Sequence, residues 1–135
     1  MWMGLHSKES KKYQTEFIPV DSEHFSIWST LKGIDQNLID QIYLTASGGP
    51  FLNKPLKKLE KVNIYQAINH PTWKMGKKIS IDSATMINKV FEVIEAKNIF
   101  NTSYNKIDIL IHPKSYVHAL VQFKNGISKL ILHDT

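Results

Sequence analysis

Two carboxylates, Asp21 and Glu23, stand at i and i+2 in the turn "PVDSEH". Oxygen donors in that arrangement suit a hard divalent cation, Mg²⁺ or Mn²⁺. Two carboxylates rarely suffice for such an ion. Glu92, on the polar stripe of "IDSATMINKVFEVIEA", is the natural third ligand. The competing reading is that Asp21 only caps the helix that follows it. A second chemistry is suggested around Ser83. If a helix begins at "DSAT", Ser83 and the nearby backbone N–H groups sit at its positive end, where phosphate binds readily. Lys89 lies within two turns and could add a charge. "SGGPF", Ser47 to Phe51, offers bare backbone to a phosphate, although Gly-Gly-Pro also reads as a plain turn.

Composition limits what else is possible. The 135 residues suit one domain with a modest core, and 42% of them are hydrophobic. The sequence has no cysteine, which excludes disulfides, zinc–thiolate sites and cysteine nucleophiles. The net charge is +5, and all 17 basic residues are lysines. Without arginine, bidentate readout of bases and phosphates is weakened, so no nucleic-acid partner is expected. The lysines can still attract an anionic substrate. No apolar run approaches the roughly 20 residues that span a bilayer. "MWMGLHSKES" lacks the apolar core of a signal peptide, so no membrane partner is expected either.

Several elements must position these groups. "EFIPV", Glu16 to Val20, reads as a short strand. Ile27, Trp28 and Leu31 have helical spacing, and Gly33 stands where a helix C-terminus is capped. "QIYLTA" reads as a strand. Leu56, Leu59 and Val62 suggest a short helix, and Asn63 is placed to cap the next. "IDILIHP" reads as a buried strand. "YVHALVQF" and "ISKLILH" flank Asn125-Gly126 as a hairpin. In the long helix, Met86, Ile87, Val90, Phe91, Val93 and Ile94 make a broad apolar face. Thr85, Asn88, Glu92 and Glu95 lie opposite, with Lys89 at the edge; such a stripe is commonly a solvated face. The expected class is α/β or α+β: a mixed sheet with helices on one face and a C-terminal hairpin.

Four strings, "PVDSEH", "SGGPF", "HPTWKMGKKISIDSATMINKVFEVIEA" and "IHPKSYVHALVQFKNG", together resemble the 1-deoxy-D-xylulose 5-phosphate reductoisomerase family. They occur in the family's order and cover most of the chain from about Ser10 onward. The resemblance implies an NADPH- and divalent-metal-dependent enzyme of non-mevalonate isoprenoid synthesis. Its product would be 2-C-methyl-D-erythritol 4-phosphate. The implied metal ligands are Asp21, Glu23 and Glu92. The implied substrate contacts are Ser22, Glu23, Ser47, His70, Trp73, Ser83, Asn88, Lys89 and Glu92. Gly76 would touch the cofactor, and Trp73 would belong to a mobile lid over the substrate. His24 and His118 match histidines near the family's active site, and His118 is carried as catalytic with the three carboxylates. A homodimer through the sheet is implied, in a bacterial cytosol or a plastid-type organelle.

The departures set further expectations. No G-x-G-x-x-G run is present. The chain is therefore expected to be a central catalytic domain over 15–135, inactive alone. Residues 1–14 would be a remnant of the link to a nucleotide-binding domain, and a C-terminal helical domain would be absent. "SKES" resembles a family motif but lies too close to Asp21, so no role is carried onto Lys8. Val90 stands where the family usually has glycine. The alternatives are a metal-dependent sugar-phosphate isomerase or lyase without redox chemistry, and a non-catalytic dimerisation module.

Overall fold

The computed structural model describes residues 10, 12–69 and 76–133. Four strands form one mixed sheet: β1 (Ile39–Ala46), β2 (Ile107–Ile111), β3 (Val117–Phe123) and β4 (Ser128–Leu132). Their order is β2-β1-β3-β4, with β2 parallel to β1 and the other pairs antiparallel. The β3–β4 hairpin turns at Asn125-Gly126, where Gly126 takes φ +83, a conformation that costs glycine nothing. Between β3 and β4 the register slips at Val117/Leu120, so His118 and Ala119 together oppose Ile131. This is a bulge, and His118 sits in it.

Helices among the described residues include α1 (Ser22–Leu31), α2 (Leu56–Leu59), α3 (Ile64–Ile68), α4 (Lys77–Ala84) and α5 (Ile87–Ile99). Asp21 caps α1 by accepting the His24 N–H at 3.0 Å, and Gly33 follows the C-cap at φ +75. Asn63 and Gln66 form a reciprocal capping box on α3. The core lies on one face of the sheet. Ile27 and Leu31 of α1, Ala96 of α5 and Phe100 just beyond it pack on Ile42, Leu44, Ala119, Val121 and Phe123. Burying these side chains stabilises the fold by about 1.5–3 kcal/mol for each large one.

Besides β2, which reads in the sequence as a buried strand but lies at the sheet edge with Leu110 44% and Ile111 46% exposed, three expectations fail. Glu16 to Val20 is not a strand, because none of the described strands pairs with it; Val20 is 96% exposed. The helix expected to start at "DSAT" is two helices. Met86 takes the left-handed conformation, φ 61, ends the α4 segment and becomes the N-cap of α5. Ser83 is thus in the last turn of α4, at the negative end of a helix. The third failure concerns α5, whose burial runs against its apolar pattern. Ile87, Val90, Phe91 and Ile94 are exposed, while Lys89 and Glu92 are buried. The ion pairs described next allow this, because they neutralise the buried charges locally.

Candidate metal centre

Asp21 and Glu23 reach the site from the start of α1, and Glu92 reaches it from the second turn of α5. One carboxylate oxygen from each lies within 4.8 Å of the others. The Lys89 ammonium stands 2.8 Å from Glu23 Oε1 and 2.5 Å from Glu92 Oε2. Asn88 donates from Nδ2 to Glu92 Oε1 at 2.6 Å, and the Ser22 hydroxyl donates to Glu23 Oε2 at 2.7 Å. Each carboxylate is therefore aimed by a neighbour on its own helix or across the gap between α1 and α5. Asp21 does cap α1, but its carboxylate also belongs to the trio.

His24 ties the two helices together from beneath. Its ring is almost wholly buried. Nδ1 lies 2.7 Å from Asp21 Oδ1 and Nε2 lies 3.0 Å from the Glu92 carbonyl. Both partners only accept, so the geometry favours a ring with hydrogen on both nitrogens. Burial pulls the His24 pKa down, but the hydrogen bonds to Asp21 and to the Glu92 carbonyl outweigh it and leave the pKa raised. For Asp21, burial pushes the pKa up, yet the His24 contacts leave it lowered. Burial opposes the Lys89 charge too, but the Glu23 and Glu92 carboxylates hold its pKa above the ordinary value. Glu92 goes the other way: burial, then the Glu23 charge, push it up to about 7. His118 is lowered, chiefly by burial.

Close backbone packing draws together the segments of a second group of expected contacts. In the loop after β1, Gly49 takes φ +65, and a Cβ there would meet the Ser83 carbonyl at 2.8 Å. The loop thus lies directly on the end of α4, which brings Ser47 and Ser83 into one neighbourhood. The Ser47 hydroxyl accepts the Gly49 N–H at 3.3 Å. The positive helix end nearby belongs to α5, and Asn88 and Lys89 lie in its first turn. Gly76 is the N-cap of α4. Lys77 and Lys78 begin that helix. His70 and Trp73 lie outside the described residues, as does Lys8.

Alternation along β3 is broken at the bulge, and the His118 ring reaches α1. Its Nδ1 is 3.3 Å from Ser22 Oγ and 4.0 Å from Glu23 Oε2. Reasoning from sequence missed Ser26 and His133, which meet at 2.7 Å beside this group. Ser26 follows Ser22 by one helical turn, a signal that could have been read. Nothing in the sequence links either residue to His133.

The sequence model of the 1-deoxy-D-xylulose 5-phosphate reductoisomerase C-terminal domain matches residues 17–100. The chain belongs to this family. The matching model is described as C-terminal, whereas the resemblance implied a central domain. A family relative from Pelagibacter ubique is 62% identical over 132 residues, which are 98% of this chain and 34% of that protein. One from Wolbachia is 49% identical over 95% of the chain and 33% of its own length. The chain therefore spans about a third of the relatives it matches. Among solved structures, the Zymomonas mobilis reductoisomerase in complex with NADPH superposes with a TM-score of 0.87 at 36% identity, covering 98% of this chain and 34% of its own. Another reductoisomerase, in complex with NADPH, fosmidomycin and magnesium, superposes at 0.82 with 40% identity, over 93% and 33% of the two chains. The family's mixed α/β fold is the one seen here. Among the described residues no helix is long and apolar enough to cross a membrane.

Proposed function

We propose that this chain forms the metal- and substrate-binding part of a reductoisomerase acting on 1-deoxy-D-xylulose 5-phosphate. The observation that carries the reading is the convergence of Asp21, Glu23 and Glu92 from two distant segments. Three carboxylates are an all-oxygen, trianionic donor set, which fits Mg²⁺ or Mn²⁺ and disfavours softer metals. The relatives solved with magnesium and NADPH support the same assignment. Bound there, the cation would polarise the substrate ketone as a Lewis acid, and NADPH would supply the hydride that reduces the rearranged aldehyde.

The chain's own residues do the rest. Lys89 and Asn88, in the first turn of α5, are proposed to offer a charge and an amide to the phosphate, joined by Ser83 and Ser47, whose segments meet at the Gly49 contact. Ser22 orients Glu23, and His24 holds Asp21 against α5. His118 stands beside Ser22 as the ring nearest the carboxylates on the sheet side. His70 and Trp73 are proposed to close over the substrate and exclude water. Gly76 is proposed to touch NADPH.

The test is calorimetry with Mg²⁺ and fosmidomycin, a phosphonate. Fosmidomycin should bind only when Mg²⁺ is present, and Glu92→Gln should abolish binding while Glu95→Gln retains it. Equal binding with and without Mg²⁺, or in Glu92→Gln, would remove the basis of the reading.

A second reading concerns assembly. The sheet face away from the helices carries Tyr43, Leu120 and Leu130 in one cross-strand row. Leu130 is 45% exposed. An apolar row on an open sheet face supports pairing of two copies through the sheet.

A further inference from the structure

Two histidines from the end of the chain grip the first turn of α1. Ser26 Oγ lies 2.7 Å from the Ser22 carbonyl and 2.7 Å from His133 Nε2. A carbonyl only accepts, and a hydroxyl has one hydrogen to give. The Ser26 hydrogen therefore goes to Ser22, and His133 donates from Nε2. The same reasoning holds one turn earlier. Ser22 Oγ donates to the Glu23 carboxylate and lies 3.3 Å from His118 Nδ1, so His118 donates from Nδ1. Both runs of hydrogen bonds meet Ser22, one ending at its carbonyl and the other passing through its hydroxyl to Glu23. The two rings also touch, perpendicular at 87° with centroids 4.5 Å apart. His133 is itself anchored, since its backbone N–H donates to the Tyr116 carbonyl at 2.8 Å.

We propose that His133 is a positioning residue. Through Ser26 and through the ring of His118, it holds the first turn of α1 so that Glu23 faces Asp21 and Glu92. Its effect on metal affinity rests on the metal reading above; the hydrogen-bond directions do not. Groups that orient metal-binding carboxylates change affinity by about 10- to 100-fold when removed.

The experiment combines nitrogen NMR of the labelled chain, which reads the hydrogen on each ring nitrogen, with calorimetric titration of Mg²⁺. In the unmodified chain at neutral to mildly basic pH, His118 should carry its hydrogen on Nδ1, and His133 should carry its own on Nε2. His133→Phe keeps a ring but loses the donor. It should lower Mg²⁺ affinity about tenfold and mix the His118 tautomers. His133→Gln restores an N–H donor near the Nε2 position and should recover most of both. If His133→Phe does not fold, Ser26→Ala removes the acceptor and should show the same two losses. Hydrogen on His118 Nε2 in the unmodified chain would overturn the proposal. So would unchanged His118 signals and Mg²⁺ affinity in His133→Phe or Ser26→Ala. If the unmodified chain binds no Mg²⁺ while both tautomers are as assigned and shift in the variants, the metal reading falls and the positioning role stands.

Discussion

Glu92 is a buried carboxylate beside another carboxylate, and its pKa is pushed up to about 7 by burial and by Glu23. A cation needs the ionised form. Mg²⁺ affinity should therefore climb as pH rises through about 7, measured by calorimetry at about one unit either side. An affinity that stays flat across that window would show Glu92 ionised throughout. The same shift acts on stability. The folded pKa is above the ordinary 4.5, so the folded chain holds more protons than the unfolded chain between the two values. Stability in the presence of a chelator should then fall as pH rises through that window. Glu92→Gln should flatten this slope while abolishing Mg²⁺ binding. His24 works in the opposite sense to Asp21. Its pKa is raised, so its contribution is present at low pH and lost as pH rises through the folded value; that of Asp21 is lost as pH falls. His24→Ala removes a buried ring and two hydrogen bonds to acceptors. Urea denaturation should show a loss of roughly 3 kcal/mol or more. A loss within experimental error would mean that α1 and α5 hold together without it.

At the scale of elements, the site depends on where helices end. The α4 segment stops at Ala84 and α5 starts at Ile87, because Met86 takes a left-handed conformation that a non-glycine residue adopts only under tertiary constraint. The break turns Asn88 and Lys89 into first-turn residues and leaves Ser83 against the loop after β1. Gly49 is the contact point. Gly49→Ala adds a Cβ 2.8 Å from the Ser83 carbonyl and forces alanine to φ +65. It should cost about 1–2 kcal/mol from the backbone conformation alone, with a further loss from the close contact. Fosmidomycin affinity should drop in the same variant, because Ser47 and Ser83 move apart. Full stability with full affinity would show that the loop and α4 are not coupled. The inverted burial of α5 follows from the same packing. Lys89 and Glu92 face α1 because Glu23 and His24 meet them there, and Ile87, Val90, Phe91 and Ile94 are left outward.

For the whole molecule, the sheet separates two surfaces. One carries the core and the carboxylates; the other carries Tyr43, Leu120 and Leu130. If two copies pair through the second surface, Leu130→Lys should shift sedimentation from dimer to monomer with little change in melting temperature, since Leu130 is already 45% exposed. A monomeric unmodified chain would refute this mode of pairing.

Much of the framework was legible in the residues themselves. The strands at Ile39–Ala46, Ile107–Ile111 and either side of Asn125-Gly126 follow from β-branched runs and turn chemistry, and the caps at Asp21, Asn63 and Gly33 from local hydrogen bonding. These are short-range effects, decided within a few residues. The carboxylate trio was foreseeable from a motif and a helical stripe. That its members meet is a property of how α1 and α5 pack on one sheet face. The tertiary structure alone decided three things: the left-handed turn at Met86, the burial of Lys89 and Glu92, and the meeting of Ser26 with His133. Each needs partners brought from far along the chain, and neither periodicity nor propensity records which distant group will be there to neutralise a charge or accept a hydrogen.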